Sequence, residues 1–198
     1  MLISPNLENL IQTLNRLPGI GRKTAQRLAW FLVSQEKNYA IELADVIKNT
    51  VQKVTNCAVC NMLSESDPCP ICASPQRQDS LLCIVENTAD IHIIEGINEY
   101  HGKYFVLGHL LSPLDGYGPE QIRSAQLLDL ITQRQPEEII LALKPSAEGE
   151  ATIHYLSDLL QGSQRKLTRL STGIPLGGDL EYTSVLTLSN AWKRRYQV

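Results

Sequence analysis

No apolar run in this 198-residue chain approaches the roughly 18 residues that a membrane-spanning helix needs, which excludes a helical membrane anchor. The opening residues MLISPNLENL lack the basic start and apolar core of a secretory signal, so a cytoplasmic protein is expected. The pattern G-x-x-x-x-G-K-[ST] is missing, and with it a loop that could hold a nucleoside triphosphate. No internal repeat or low-complexity tract occurs. There is also no overall excess of positive charge: the net charge is −3, which argues weakly against a polyanionic partner. What remains, 43% hydrophobic and 20% charged residues, is the composition of an ordinary globular protein with room for one or two domains.

The small net charge hides an asymmetry. Residues 1–56 hold seven Lys and Arg against four Asp and Glu, residues 57–164 five against fifteen, and residues 165–198 six against two. Two basic ends flank an acidic middle, so contact with nucleic acid is expected from the ends. The plainer reading of the same counts is a set of solvated helix faces.

Hydrophobic periodicity divides the chain into four regions. Residues 1–56 read as a small all-helical unit. Ser4 and Pro5 suit a helix start, and Leu7, Leu10, Ile11, Leu14 and Leu17 form one stripe. A second helix after PGIG turns Ala25, Leu28, Ala29 and Leu32 inward, and a third presents Ile41, Ala44, Ile47, Val51 and Val54 on one face. Residues 57–76 are rich in Cys and Pro, without periodicity. Over residues 77–170, strand-like SLLCIVEN, KYFVLGHLL, EEIILALK and RKLTRLST alternate with helix-like TADIHIIEGIN, IRSAQLLDLITQRQ and EGEATIHYLSDLLQ. Such alternation with short connections predicts an α/β fold with a parallel sheet wrapped by helices. Residues 171–198 form a Gly-rich tail (Gly173, Gly177 and Gly178 around Pro175), then a β-prone stretch, then a short basic helix or coil with Lys193, Arg194 and Arg195.

Cys57-x2-Cys60 and Cys69-x2-Cys72 are two knuckles whose turns aim paired thiolates at one ion. Four thiolates complete a closed tetrahedral Zn²⁺ site, structural rather than catalytic. A segment this short cannot build its own core, and a metal is a sensible staple. Two disulfides are the rival reading, uncommon in the cytoplasm, and a doubled redox Cys-x-x-Cys is a third. Cys83 lies in an apolar strand and is expected in the core.

LPGIGRKTAQRLAWFL places two glycines, Gly19 and Gly21, directly before a helix. They permit a bend that leaves amide N–H groups open at a helix N-terminus, a cradle for phosphate. Lys23 and Arg27, four apart on one face, add charge beside it. A plain helical corner is the competing reading. With Leu17 before and Ala25 after, the stretch resembles the helix-hairpin-helix motif. Contact with DNA backbone is expected, insensitive to sequence and sensitive to salt.

Three carboxylates mark the acidic middle: Glu86 after the first long strand, and Glu148 and Glu150 after a later one. Strand ends of a parallel sheet share one edge, so the three are candidates to converge. The arrangement resembles the Toprim domain of topoisomerases, primases and some nucleases, which carries a Glu after its first strand and an Asp-x-Asp followed by Glu-Gly-Glu later. Here Lys144 and Ser146 stand where the two aspartates would. An ammonium at that place disfavours a dication.

Taken together, LPGIGRKTAQRLA, CAVCNMLSESDPCPIC, IVENTADI, LSPLDGYGPE, EGEAT and GIPLGGDLE resemble the RecR family of bacterial recombination mediators over essentially the whole chain. The resemblance implies a non-enzymatic DNA-repair protein that binds single- and double-stranded DNA. It implies work with RecO, and often RecF, in loading RecA on single-stranded DNA, close to the nucleoid. It also implies self-association into a dimer or a tetrameric ring through the terminal regions. Glu86, Glu148 and Glu150 then become candidates for partner recognition. The alternative is a Toprim-type Mg²⁺-dependent nuclease or phosphoryl transferase that uses the same three glutamates. The family's tail has been likened to a Walker B element, with Asp179 or Glu181 in that part. Without a phosphate loop, a turn-rich crossover into a final strand or subunit contact is the reading favoured here.

Overall fold

The computed structural model describes residues 4–162, 165–171, 173–174 and 177–195. The chain divides into two compact units, Met1–Val54 and Thr55–Val198. No helix among the described residues is long and apolar enough to cross a membrane.

The first unit is three helices. In α1 (Pro5–Leu14) the Ser4 hydroxyl accepts the Leu7 N–H at 3.3 Å and Pro5 opens the helix, as the sequence suggests. Ile11 of α1 meets Ala25 and Ala29 of α2 (Arg22–Ser34), and these three are the buried core of the unit. Two alanines four apart leave α2 with a smooth side on which α1 can lie closely. Leu7, Leu10, Leu14 and Ile20 close over this core, but Leu17 stands 52% exposed.

Helix α3 (Lys37–Lys53) departs from expectation. None of its residues is buried, and Ile41, Ile47 and Val51 are 59%, 56% and 74% exposed. The apolar stripe exists, but among the described residues its side chains stay exposed.

The second unit begins with a short antiparallel hairpin, β1 (Thr55–Asn56) with β2 (Leu63–Ser64), and one helical turn, α4 (Pro70–Ala73). A four-stranded, all-parallel sheet follows in the order β4-β3-β5-β6, from β3 (Gln78–Val85), β4 (Gly102–Val106), β5 (Glu138–Ala142) and β6 (Lys166–Arg169). Its crossovers are α5 (Thr88–Glu95), α6 (Ser124–Arg134) and α7 (Ala147–Leu159). Successive strand residues point to opposite faces. Leu82 and Ile84 join Phe105, Ile139 and Leu141 under Leu127 and Ile131 of α6 and Leu156 of α7. Cys83 and Val85 join Tyr104 and Val106 on the other face, under Ile91 of α5 and the cysteine knuckles. Cys83 is 2% exposed, a core residue whose thiol burial pushes up to about 12.

Helix α5 starts on a reciprocal cap between Asn87 and Asp90. At its other end, Glu95 accepts both guanidinium nitrogens of Arg77 and, at 2.6 Å, the Tyr104 hydroxyl. These contacts, led by Arg77, hold the Glu95 carboxyl below its ordinary range.

The tail also corrects the sequence reading. The β-prone stretch is a 3-10 turn (Leu180–Tyr182) followed by α8 (Val185–Lys193), which contains Lys193. Val185 and Thr187 favour strands, but the Ser184 hydroxyl accepts the Thr187 N–H at 3.1 Å and starts a helix instead. Pro175 lies outside the described residues, as does Thr172 of the expected last strand.

Candidate metal centre, hairpin and acidic loops

The sulfurs of Cys57, Cys60, Cys69 and Cys72 all lie within 4.8 Å of one another. The Cys60 and Cys69 sulfurs are 3.6 Å apart, close to the roughly 3.8 Å edge of a tetrahedron with metal–sulfur bonds of about 2.3 Å. All five cysteines are free. Backbone amides point at the sulfurs: Cys69 N–H donates to Cys57 Sγ at 3.3 Å and Cys72 N–H to Cys69 Sγ at 3.4 Å. Amide dipoles aimed this way favour thiolates. The Cys72 thiol is lowered to about 6, chiefly by the hydrogen bond from Cys60, whose own thiol is raised. Four crowded sulfurs that cannot all ionise alone are suited to a dication that replaces their shared protons.

The first knuckle is held by local turns and by the sheet. Cys57 N–H donates to Met62 O, and Asn61, at φ 64°, takes the left-handed turn that brings the chain back. Val106 N–H donates to Cys60 O at 2.8 Å, and the Asn61 side-chain amide donates to Val106 O at 2.8 Å.

The second knuckle is held by a residue that sequence reading missed. Lys103, in β4, is 4% exposed. Its ammonium donates to the carbonyls of Ile71 (3.0 Å), Cys72 (2.9 Å) and Ser74 (3.0 Å). These are the free carbonyls at the C-terminal end of α4, where a cation is favourable. The only signal was a lone lysine inside GKYFV. We expect Lys103→Met to lower stability by about 3 kcal/mol, because buried carbonyls lose a charged donor. It should also speed metal loss to a chelator. Denaturant unfolding and chelator competition measure both, and a variant matching the parent in each would show the tie to be idle.

In the hairpin, Gly19 has φ +76°, a left-handed conformation that side chains resist. Ile20 N–H closes the turn on Leu17 O at 3.1 Å. Gly21 is the N-cap of α2 without a side-chain cap bond, and a Cβ there would meet nothing within 4 Å. The first amides of α2 are therefore left without a side-chain cap. Lys23 and Arg27 are both exposed on α2, and neither is ion-paired among the described residues.

The acidic loops do not form the converging trio that strand topology suggests. Glu86 lies 3.5 Å from the Lys144 ammonium. Glu150 is turned to Arg169, which donates to its two oxygens at 2.8 and 2.5 Å and holds its carboxyl below the ordinary range. Glu148 is partly exposed, its carboxyl lowered first by the Ser146 hydroxyl and then by its own amide. Among the described residues, the cysteines are the only group of three or more His, Cys, Asp or Glu side chains gathered closely enough to share an ion. Lys144 and Ser146 each have a local role. Lys144 neutralises Glu86, and Ser146 caps α7 by accepting Gly149 N–H at 3.1 Å. Gly149 is required sterically, since a Cβ would come within 1.9 Å of Lys144 O.

These three structures coincide with three family models. Residues 7–51 match the helix-hairpin-helix of RecR, residues 54–74 match the four-cysteine zinc finger domain of RecR, and residues 80–171 match the Toprim domain. The chain thus carries a zinc finger whose four cysteines are gathered to hold an ion. It is 45% identical over 192 residues to "Recombination protein RecR" of Halorhodospira halophila, covering 97% of this chain and 96% of that one. It is 42% identical over 198 residues to the protein of the same name from Anaeromyxobacter sp. (strain Fw109-5), covering both chains completely. With that from Acidothermus cellulolyticus it shares 41% over 192 residues, 97% of this chain and 96% of the other. Matched in all three segments and end to end, the chain belongs to the RecR family.

Proposed function

We propose that this chain is a DNA-binding mediator of recombination and repair, an oligomeric adaptor that performs no chemistry itself. Gly19, Gly21, Lys23 and Arg27 hold the sugar-phosphate backbone of single- or double-stranded DNA. Cys57, Cys60, Cys69 and Cys72 hold a structural zinc ion. The adaptor works in the cytoplasm with RecO, and with RecF, to promote RecA loading on single-stranded DNA. The observation that carries the non-catalytic reading is the Lys144–Glu86 pair. An ammonium takes the place where phosphoryl-transfer chemistry needs a divalent cation. Glu148, partly exposed and unburdened by an ion pair within 4.0 Å among the described residues, is the acid best suited to a basic partner surface. Glu86 and Glu150 contribute to the same field but are partly neutralised.

The exposed face of α3 supports self-association. Seventeen residues with no buried side chain gain too little from packing within one chain to hold a helix. A second copy would cover Ile41, Ile47 and Val51, making a dimer, and exposed Tyr182 and Val185 of the tail would serve a second contact that makes a ring.

One set of measurements tests the reading. Light scattering should give the mass of a dimer or tetramer. Gapped and supercoiled DNA should be bound but left uncut with Mg²⁺ or Mn²⁺. Glu148→Lys should weaken RecO binding about tenfold while DNA affinity is retained. DNA cleavage or relaxation that disappears in Glu86→Gln would replace the adaptor with an enzyme.

A further inference from the structure

The unit Met1–Val54 contains three aromatic residues, Trp30, Phe31 and Tyr39, and none serves its core, which is wholly aliphatic. They are 56%, 48% and 47% exposed. Lys23, Arg27, Trp30 and Ser34 follow one another along α2 at helical spacing, on the side away from Ala25 and Ala29. With Gln26 and Phe31 they line an open trough of about 640 Å³. Tyr39 meets Phe31 edge-on, with ring centroids 6.1 Å apart at 88°, which steadies the aromatic end of the trough. Helix α2 carries Arg22, Lys23 and Arg27 and no acidic residue. A cationic track thus begins at the hairpin amides and ends on an open indole.

We infer that this face takes single-stranded nucleic acid, with Lys23 and Arg27 on phosphates and the Trp30 ring stacked on an unpaired base. The inference rests on the reading of the hairpin as a backbone-binding element and adds a preference for strand state. Inside a duplex both faces of a base are already covered, so an exposed indole gains contact only from an unpaired base. Trp30 lies seven positions beyond Lys23 on the helix, about 10 Å along the axis. Phosphates recur about every 3.4 Å along one strand of B-form DNA and more widely in an extended strand, so the ring lies two or three nucleotides from a phosphate held at Lys23. The competing occupant is a second copy of the chain. Charge decides between them: the trough is flanked by two cations and no acid, whereas the broader apolar face for a subunit contact is on α3.

The chain has two tryptophans, so in full-length protein carrying Trp192→Phe the emission belongs to Trp30. A dT oligonucleotide should quench that emission, and an abasic strand of equal length should not. Trp30→Ala should weaken dT binding on the order of ten- to hundredfold and leave duplex affinity within about twofold, with Trp30→Tyr recovering most of the loss. Equal losses on single strand and duplex, or quenching by the abasic strand as strong as by dT, would overturn the inference. So would a fall in mass of Trp30→Ala by light scattering, which would assign the face to a second copy. Failure of the underlying hairpin reading shows separately, as full duplex affinity in a protein with Lys23 and Arg27 both reversed to Glu.

Discussion

Replacing Cys69 with serine is expected to empty the metal centre and to cost on the order of 5 kcal/mol or more, enough to unfold an ordinary domain. Cys69 is fully buried. Its sulfur accepts the Cys72 amide, its own amide donates to Cys57, and Cys60 lies 3.6 Å away. Loss of this one ligand therefore disturbs the other three. The damage does not stop at the knuckles, because Cys57, Cys60 and Cys69 share a buried cluster with Cys83, Val85, Tyr104 and Val106 of the sheet. Together with Met62 and Ile91, these cysteines form the apolar layer over that sheet face. Metal content by colorimetric release, with thermal unfolding, measures the effect. Cys83→Ser, which removes a buried thiol outside the centre, should keep one zinc per chain. Full zinc and an unchanged melting temperature in Cys69→Ser would show that the cysteines are not a structural site.

Reversing Lys23 and Arg27 to Glu together should reduce DNA affinity by at least about a hundredfold at low salt, since two attractive phosphate contacts become repulsive. The salt dependence should flatten as well, by roughly 1.8 in the slope of log affinity against log salt on duplex, or about 0.9 per lost contact. Both side chains are exposed and neither is ion-paired among the described residues, so fold and zinc content should be untouched. A low-salt titration and a salt series report the two effects. Unchanged affinity would remove the hairpin from the DNA-binding surface.

Much of this architecture was legible in the sequence because its signals were local. The short apolar runs around Ile84, Phe105 and Leu141, alternating with helical patterns, read as buried strands of a parallel sheet. The spacing of Cys57, Cys60, Cys69 and Cys72 carried its chemistry within sixteen residues. Other features depend on contacts that spacing does not encode. The carbonyl partners of Lys103 lie 29 to 32 residues earlier in the chain, and a lone lysine in a strand does not reveal them. Strand topology placed Glu86 and Glu150 at one sheet edge, but the direction each side chain takes was set by Lys144 and Arg169. The stripe on α3 announced a covered face without saying what covers it. In the tail, β-branched residues outweighed the Ser184 cap in the reading, and the cap prevailed in the structure.

The first zinc knuckle has a further effect through its grip on Val106. β4 is the outermost strand of its sheet, and an outermost strand ordinarily offers a row of unpaired amides and carbonyls to any passing chain. Here the C-terminal end of that row is taken: Val106 donates to Cys60 and accepts from Asn61. The knuckle acts as a selvedge, finishing the margin of the sheet where another strand would otherwise be added. In a protein proposed to assemble through other surfaces, this keeps association in register with function and away from edge-to-edge polymerisation.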